Sequence, residues 1–338
     1  LYCIDAPKPG DADGVIWFWE TNTKGKGKNA MKTTVAIVGL GSRGRVTYAP
    51  IAKQYPDLME ITALADINPA CVEEAAKEYN VPKERCFTSA EELLAQPKLA
   101  DAIFICTQDQ DHVREALVAL EKGYHILMEK PISPSAEDCN KLLEASRKYD
   151  RKIVVCHVLR YTPFFSKIKE IISEGTIGDV VTIQAIENVG YWHQAHSFVR
   201  GNWRNSNTTS PMCLQKTCHD FDLYLWLADK TPKRVSSMGD TYFFKEACAP
   251  EGAALRCMDG CKAKENCPFD AEKIYITNKR TGIAQGNTEW PVDVLAIHPT
   301  EESIYEAIKT GPYGRCVFHC DNNVVDHQIT NIENTDGS

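Results

Sequence analysis

Six residues, Gly39-Leu40-Gly41-Ser42-Arg43-Gly44, constrain this chain more than any other stretch. They directly follow Thr34-Val35-Ala36-Ile37-Val38, a short apolar run of the kind that forms a strand buried on both faces. A helical stretch reaching to about Tyr55 follows them. In that setting a G-x-G-x-x-G loop has a physical reading that the bare pattern lacks. Gly39 permits the tight turn, Gly41 lets backbone amides approach a pyrophosphate, and Gly44 lets the helix pack close to the strand. The helix N-terminus, with Ser42 and Arg43 in its first turn, favours the anion. A second strand, Ile61-Thr62-Ala63-Leu64-Ala65-Asp66, ends 22 residues after Gly44 on a carboxylate placed to accept ribose hydroxyls. That acid repels a 2′-phosphate, so NAD is expected over NADP, with Arg43 and Arg45 as partial offsets.

Strands and helices keep alternating from there. Helices are expected over 69–79, 111–122 (capped by Gly123) and 135–149, with strands over 101–106, 125–128 and 152–157. Regular alternation implies parallel pairing and a doubly wound α/β sheet, the Rossmann arrangement. After about His157 the pattern changes. A helix over 163–174 and a strand over 180–187 precede an irregular polar and aromatic stretch, 190–211, and a helix over 218–228. Strand-like pieces at 234–238, 273–277 and 316–320 have no helices assigned between them. This reads as an α+β domain with a large, mostly antiparallel open sheet. The expected domains are therefore a leader or expression remnant over 1–30, a Rossmann dinucleotide-binding domain over 31–157, and a substrate and oligomerisation domain over 158–338. The chain stops at Asp336-Gly337-Ser338 with no closing element, so a truncated second domain is the expectation.

Composition narrows the function classes. With 43% hydrophobic and 25% charged residues the chain is an ordinary globular one. A net charge of −8 argues against nucleic acid or an anionic membrane surface as partner, because either needs a basic face. No apolar run approaches the roughly 20 residues of a membrane helix. Several of the 14 cysteines sit inside apolar runs, Cys106 and Cys156 among them, where a thiol behaves as a small hydrophobe. Reduced thiols in a cytoplasmic protein is the expectation.

Glu129-Lys130-Pro131 falls at the C-terminal end of an expected parallel strand, where such sheets hold ligands, and Pro131 fixes the turn from which Lys130 projects. An E-K-P there, after the glycine fingerprint, resembles the signature of the Gfo/Idh/MocA oxidoreductases, the family of glucose–fructose oxidoreductase and inositol dehydrogenase. The resemblance runs from Met31 to the end of the chain. It implies that Thr107 and His112 stand where the family carries a Thr-Pro…His segment above the nicotinamide, although Gln108 replaces the proline. It implies cofactor contacts from Glu129, Lys130, Arg160, Trp203 and Arg204 as well. His219 resembles the family's active-site histidine; four residues earlier, where many members carry an Asp, this chain has Gln215.

Oxidising an alcohol removes a hydride from carbon and a proton from oxygen, and a neutral histidine is suited to take that proton. His219 is therefore expected as general base. Lys130 is expected to hydrogen-bond the reacting oxygen, stabilising alkoxide charge as orienter or alternate base, and Asp222 could orient His219. Tyr191, Trp192 and His193 lie in a stretch dense in aromatic and hydrogen-bonding groups that suits a carbohydrate; with Gln215 they are the expected substrate contacts. Cys257, Cys261 and Cys267, with Cys248 upstream, are grouped closely enough for a structural zinc, although the spacing matches no standard zinc pattern. Reduced thiols knitting a loop are the alternative.

The leading expectation is an NAD-dependent dehydrogenase of a sugar, cyclitol or glycoside hydroxyl, assembled as a homo-dimer or homo-tetramer. A glycosidase or lyase that retains NAD and works through a transient keto-sugar is a second class. A non-catalytic NAD-binding regulator is a third.

Overall fold

The computed structural model describes residues 32–338, so the leader expected over 1–30 lies outside the described residues. Two compact units divide between Tyr161 and Thr162, four residues beyond the boundary expected from sequence.

In the first unit, β1 (Thr33–Val38), β2 (Met59–Ala65), β3 (Cys86–Phe87), β4 (Ala102–Ile105), β5 (His125–Met128) and β6 (Ile153–Val155) form one parallel sheet in the order β3-β2-β1-β4-β5-β6. The crossovers carry α1 (Pro69–Tyr79), α2 (Ala90–Ala95), α3 (His112–Glu121) and α4 (Ala136–Tyr149). Sequence explains the boundaries. Asn68 caps α1 with Pro69 at its first turn, Ser135 caps α4 by accepting from Asp138 N, and Gly123 takes positive φ just past α3. The central strand β1 is sealed on both faces: Val35, Ala36, Ile37 and Val38 are each 1% exposed or less. Strand order reverses between β1 and β4, and the crevice beyond their C-terminal ends is where a doubly wound sheet binds ligands. The loops after β1, β4 and β5 carry Gly39–Gly44, Thr107 and Lys130.

The second unit departs from the expected large sheet. Among the described residues its one ladder is antiparallel, β7 (Pro232–Asp240) against β8 (His327–Asn334). Helices α5 (Pro163–Ser173), α6 (Cys218–Ala228) and α7 (Glu301–Thr310) accompany it. Residues 180–187, expected as a strand, are largely exposed and join no ladder; local composition alone cannot hold a strand that lacks a paired neighbour. The apolar run at 273–277 is a helical turn instead, with Ile274, Tyr275 and Ile276 at most 2% exposed. Short apolar runs do not distinguish a buried turn from a strand. Residues 316–320 are turns that sink Val317 and Phe318 into the same core.

Arg200 organises that core. It is fully buried, donating from Nε to Arg315 O (2.7 Å) and from Nη2 to Phe269 O (2.7 Å) and Cys257 Sγ (3.4 Å). One guanidinium thereby joins three segments distant in sequence.

Candidate functional site

The glycine loop of the first unit is built as its sequence demands. Gly39 has φ +88°, and a Cβ there would lie 2.5 Å from the carbonyl oxygen of Cys106. A Cβ on Gly44 would lie 2.0 Å from Gly39 O. Both glycines are required by the protein's own backbone. A Cβ on Gly41 would meet no protein atom within 4 Å, so the middle glycine faces open space, as a cradle for pyrophosphate requires. The loop runs into a wide helical turn, Ser42–Tyr48, closed by Ala49 N donating to Gly44 O (2.9 Å). No side chain caps its N-terminus, which leaves first-turn N–H groups for a ligand.

Asp66 is held beside this loop. Its Oδ2 accepts from Leu40 N (2.5 Å) and its Oδ1 from Asn68 N (2.7 Å). An ionised carboxylate has about four acceptor positions, so two remain for ribose hydroxyls. The two arginines expected to offset its charge are engaged elsewhere: Arg45 Nη1 lies 3.3 Å from Glu74 and Arg43 Nε 3.7 Å from Glu129. These residues fit NAD. An Asp66→Ser variant should bind NADH about tenfold more weakly while gaining on NADPH, since one lost charged hydrogen-bond acceptor is worth about 1.4 kcal/mol or more; fluorescence titration with both cofactors checks it.

Glu129, 6% exposed, links the glycine loop to the Lys130 turn. It accepts from the Tyr48 hydroxyl and from Lys130 N (3.0 Å). Burial, with the neighbouring Cys156 and Glu129, pushes the Tyr48 phenol far above its ordinary range, so Tyr48 is a permanent donor. Lys130 itself is half-buried.

Thr107 is fixed from beneath. Its hydroxyl donates to Glu115 Oε2 (2.7 Å) and its carbonyl faces His112 Nε2 (3.0 Å). His112 is 1% exposed, so it lies behind this loop. Burial raises the Glu115 carboxyl to about 7. A carboxyl raised on folding loses stability as pH rises, because the unfolded chain ionises first. Stability attributable to Glu115 should therefore fall between about pH 4.5 and 7. Glu115→Gln should melt progressively higher relative to wild type across that window, by on the order of 3 kcal/mol at pH 8; parallel melting curves from pH 4.5 to 8 would refute this.

In the second unit, His219 is half-buried in the first turn of α6. Asp222, one turn on, is 8% exposed. Sequence reasoning missed the neighbouring cluster: Lys216 Nζ lies 3.0 Å from Glu187 Oε1, and burial, then Glu187, lifts the Asp220 carboxyl to about 6. Glu187 comes from the stretch expected to pair as a strand, so only tertiary structure exposes this group. Gln215 is 2% exposed, and its amide donates to Thr209 Oγ1 (2.8 Å) and to Ser210 O. Arg204 donates to Asp321 Oδ1 (2.7 Å) and Gly201 O (3.2 Å), while Trp203 packs against a small cluster of Phe198, Met212 and Val324. Arg160 is half-buried beyond β6 in the first unit.

The aromatic stretch expected to meet substrate is largely helical and partly spent on packing. Trp192 and His193 lie 4.9 and 4.8 Å, centroid to centroid, from Trp290. His196 is buried, bonded to the Tyr275 hydroxyl (3.0 Å), and pushed down to about 3 by burial. Tyr191 remains exposed.

The zinc expectation is corrected. Among the described residues no group of three or more His, Cys, Asp or Glu side chains is placed to hold a metal ion. Cys257 and Cys267 do line one small cavity with Cys261, but Arg200 shares it and donates to Cys257, and a permanent cation among thiols opposes a second one.

Comparison with known proteins gives the family. Residues 33–157 match the family model described as "Oxidoreductase family, NAD-binding Rossmann fold", and residues 165–272 match the "GFO/IDH/MocA C-terminal domain". The chain belongs to the Gfo/Idh/MocA oxidoreductase family. It is 28% identical over 244 residues to the putative oxidoreductase YteT of Bacillus subtilis, covering 70% of this chain and 56% of that one. It is 27% identical over 201 residues to an inositol 2-dehydrogenase of Gluconacetobacter diazotrophicus, covering 59% and 55%. Among solved structures, an oxidoreductase of Thermotoga maritima superposes with TM-score 0.53 at 28% identity, covering 62% of this chain and 64% of that one. The scyllo-inositol dehydrogenase of Lactobacillus casei, solved with NAD(H) and scyllo-inositol, shares the fold at TM-score 0.53 and 23% identity, covering 62% and 60%. This Gfo/Idh/MocA chain spans a little over half the length of these curated relatives.

Proposed function

We propose that this chain is an NAD-dependent dehydrogenase acting on a secondary hydroxyl of a cyclitol or sugar. The observation that carries the cofactor half is the Asp66 carboxylate, tied to the Leu40 and Asn68 amides at the rim of a glycine loop whose middle residue faces open space. The cyclitol half is supported by the chain's likeness to inositol 2-dehydrogenases. Bound at this loop, the nicotinamide supplies the hydride acceptor. Lys130 hydrogen-bonds the reacting oxygen and stabilises the charge that develops on it. His219 takes the hydroxyl proton, a role carried over from the family. Tyr191 keeps an exposed ring for a substrate's C–H face. A cytoplasmic setting, expected from cysteines placed in apolar runs such as those around Cys106 and Cys156, belongs to the same reading. So does assembly as a homo-dimer or homo-tetramer.

The test is a panel of free cyclitols and sugars mixed with protein and NAD, followed by absorbance of NADH. Net NADH with at least one member is expected. Cleavage of aryl glycosides without net NADH would instead point to the NAD-retaining hydrolytic chemistry, and NADH binding without turnover of any substrate to a regulator.

A further inference from the structure

His112 occupies an unusual position. Its ring is 1% exposed, yet both nitrogens face backbone carbonyls: Nδ1 lies 2.9 Å from Pro131 O and Nε2 3.0 Å from Thr107 O. Those carbonyls belong to the loops after β5 and β4, which carry Lys130 and Thr107. A neutral imidazole has one N–H, so it donates to one carbonyl and turns a lone pair towards the other. An imidazolium donates to both.

We propose that His112 is a positioning residue that ties the Thr107 loop to the Lys130 loop, and that gaining its second proton tightens the tie. The inference rests on the dehydrogenase reading for its consequence, but its geometry stands in the first unit alone. The acids acting on the ring are Asp109, fully buried on the β4 loop, and Glu129 at the end of β5; both favour the charged ring, whereas Glu115 on α3, raised to about 7 by burial, is largely protonated where the ring gains its charge. Burial and the N-terminus of α3 oppose it, and burial, the larger effect, draws the ring below its ordinary range. The tightening therefore falls below pH 6.5.

Two measurements test this. In ¹⁵N-labelled protein the His112 ring should become doubly protonated below pH 6.5, and the Gln108 and Ile132 amides should shift along the same curve. In His112→Gln, whose amide does not titrate, those amide shifts should vanish, and NADH affinity should fall about five- to tenfold, a single hydrogen bond's worth. Wild-type NADH affinity should tighten from pH 8 to pH 5.5, while the variant's stays flat. Parallel pH dependence in the two proteins, or a ring that stays neutral to pH 5, overturns the proposal. If neither protein binds NADH, the dehydrogenase reading fails, while the amide shifts still decide whether the tie exists.

Discussion

A Gly44→Ala variant should melt about 10 °C lower than wild type and lose NADH binding, whereas Gly41→Ala should lose binding and keep its melting temperature. The Cβ added at position 44 would lie 2.0 Å from Gly39 O and 3.2 Å from Ile37 Cγ2. Neither neighbour can yield. Gly39 is pinned by its amide on Ala65 O (2.9 Å) and by the adjacent Cys106 carbonyl, and Ile37 is fully buried in β1. The turn over Ser42–Tyr48 must move outward, which strains the Ala49-to-Gly44 bond and draws Tyr48 from Glu129. Overpacking of that kind costs about 3 kcal/mol, and each kcal/mol lowers the melting temperature of a domain this size by about 2–4 °C. At Gly41 the backbone is at φ −71°, which alanine adopts freely, and the new methyl meets no protein atom within 4 Å. Only a ligand's phosphates would collide with it. Calorimetry and NADH titration on both variants separate a glycine the fold needs from one the cofactor needs; unchanged NADH affinity in Gly41→Ala would sink the cradle.

The two units differ in how far sequence carried. In the first, five of the six strands are short apolar runs, and the expected elements fall within one or two residues of those observed; the two-residue β3 and the short α2 went unassigned. A parallel sheet buried on both faces writes itself into local composition. In the second unit, partners decide. Residues 180–187 read locally as a strand but join no ladder, 273–277 are buried as a helical turn, and α7 and β8 went unassigned. The site divides the same way. Gly39, Gly41, Gly44 and Asp66 are legible because their roles are set within one βαβ unit. The bonds of Glu129 with Tyr48 and of His112 with Pro131 span 81 and 19 positions, and no periodicity reports them. Arg200 is the clearest case: its partners at 257, 269 and 315 are visible only once folded, and they replace a zinc site with an arginine staple.

Replacing His219 by alanine should lower kcat by a factor on the order of 10² to 10⁴, the usual span for losing a general base, with NADH affinity unchanged. Lys130→Met should lower kcat comparably, through lost charge stabilisation at the reacting oxygen. The pH profile then discriminates between sources of the proton acceptor. A histidine base places an acid limb on kcat/KM, because the protonated ring accepts no proton. Asp220, lifted to about 6 by burial and Glu187, would place a limb in the same region. If His219 is the base, Asp220→Asn keeps the limb and a rate near wild type, while the residual activity of His219→Ala has none. If Asp220 carries the proton, the two variants exchange behaviours. Gln215 sharpens the choice. Its amide is engaged with Thr209 and Ser210, and it neither gains nor loses a proton near neutrality, so the relay that an Asp at that position would offer is missing from this chain. With no carboxyl at 215, the candidates for the proton are His219, the half-buried Asp220 beside it and Lys130, and one substitution at each position decides among them.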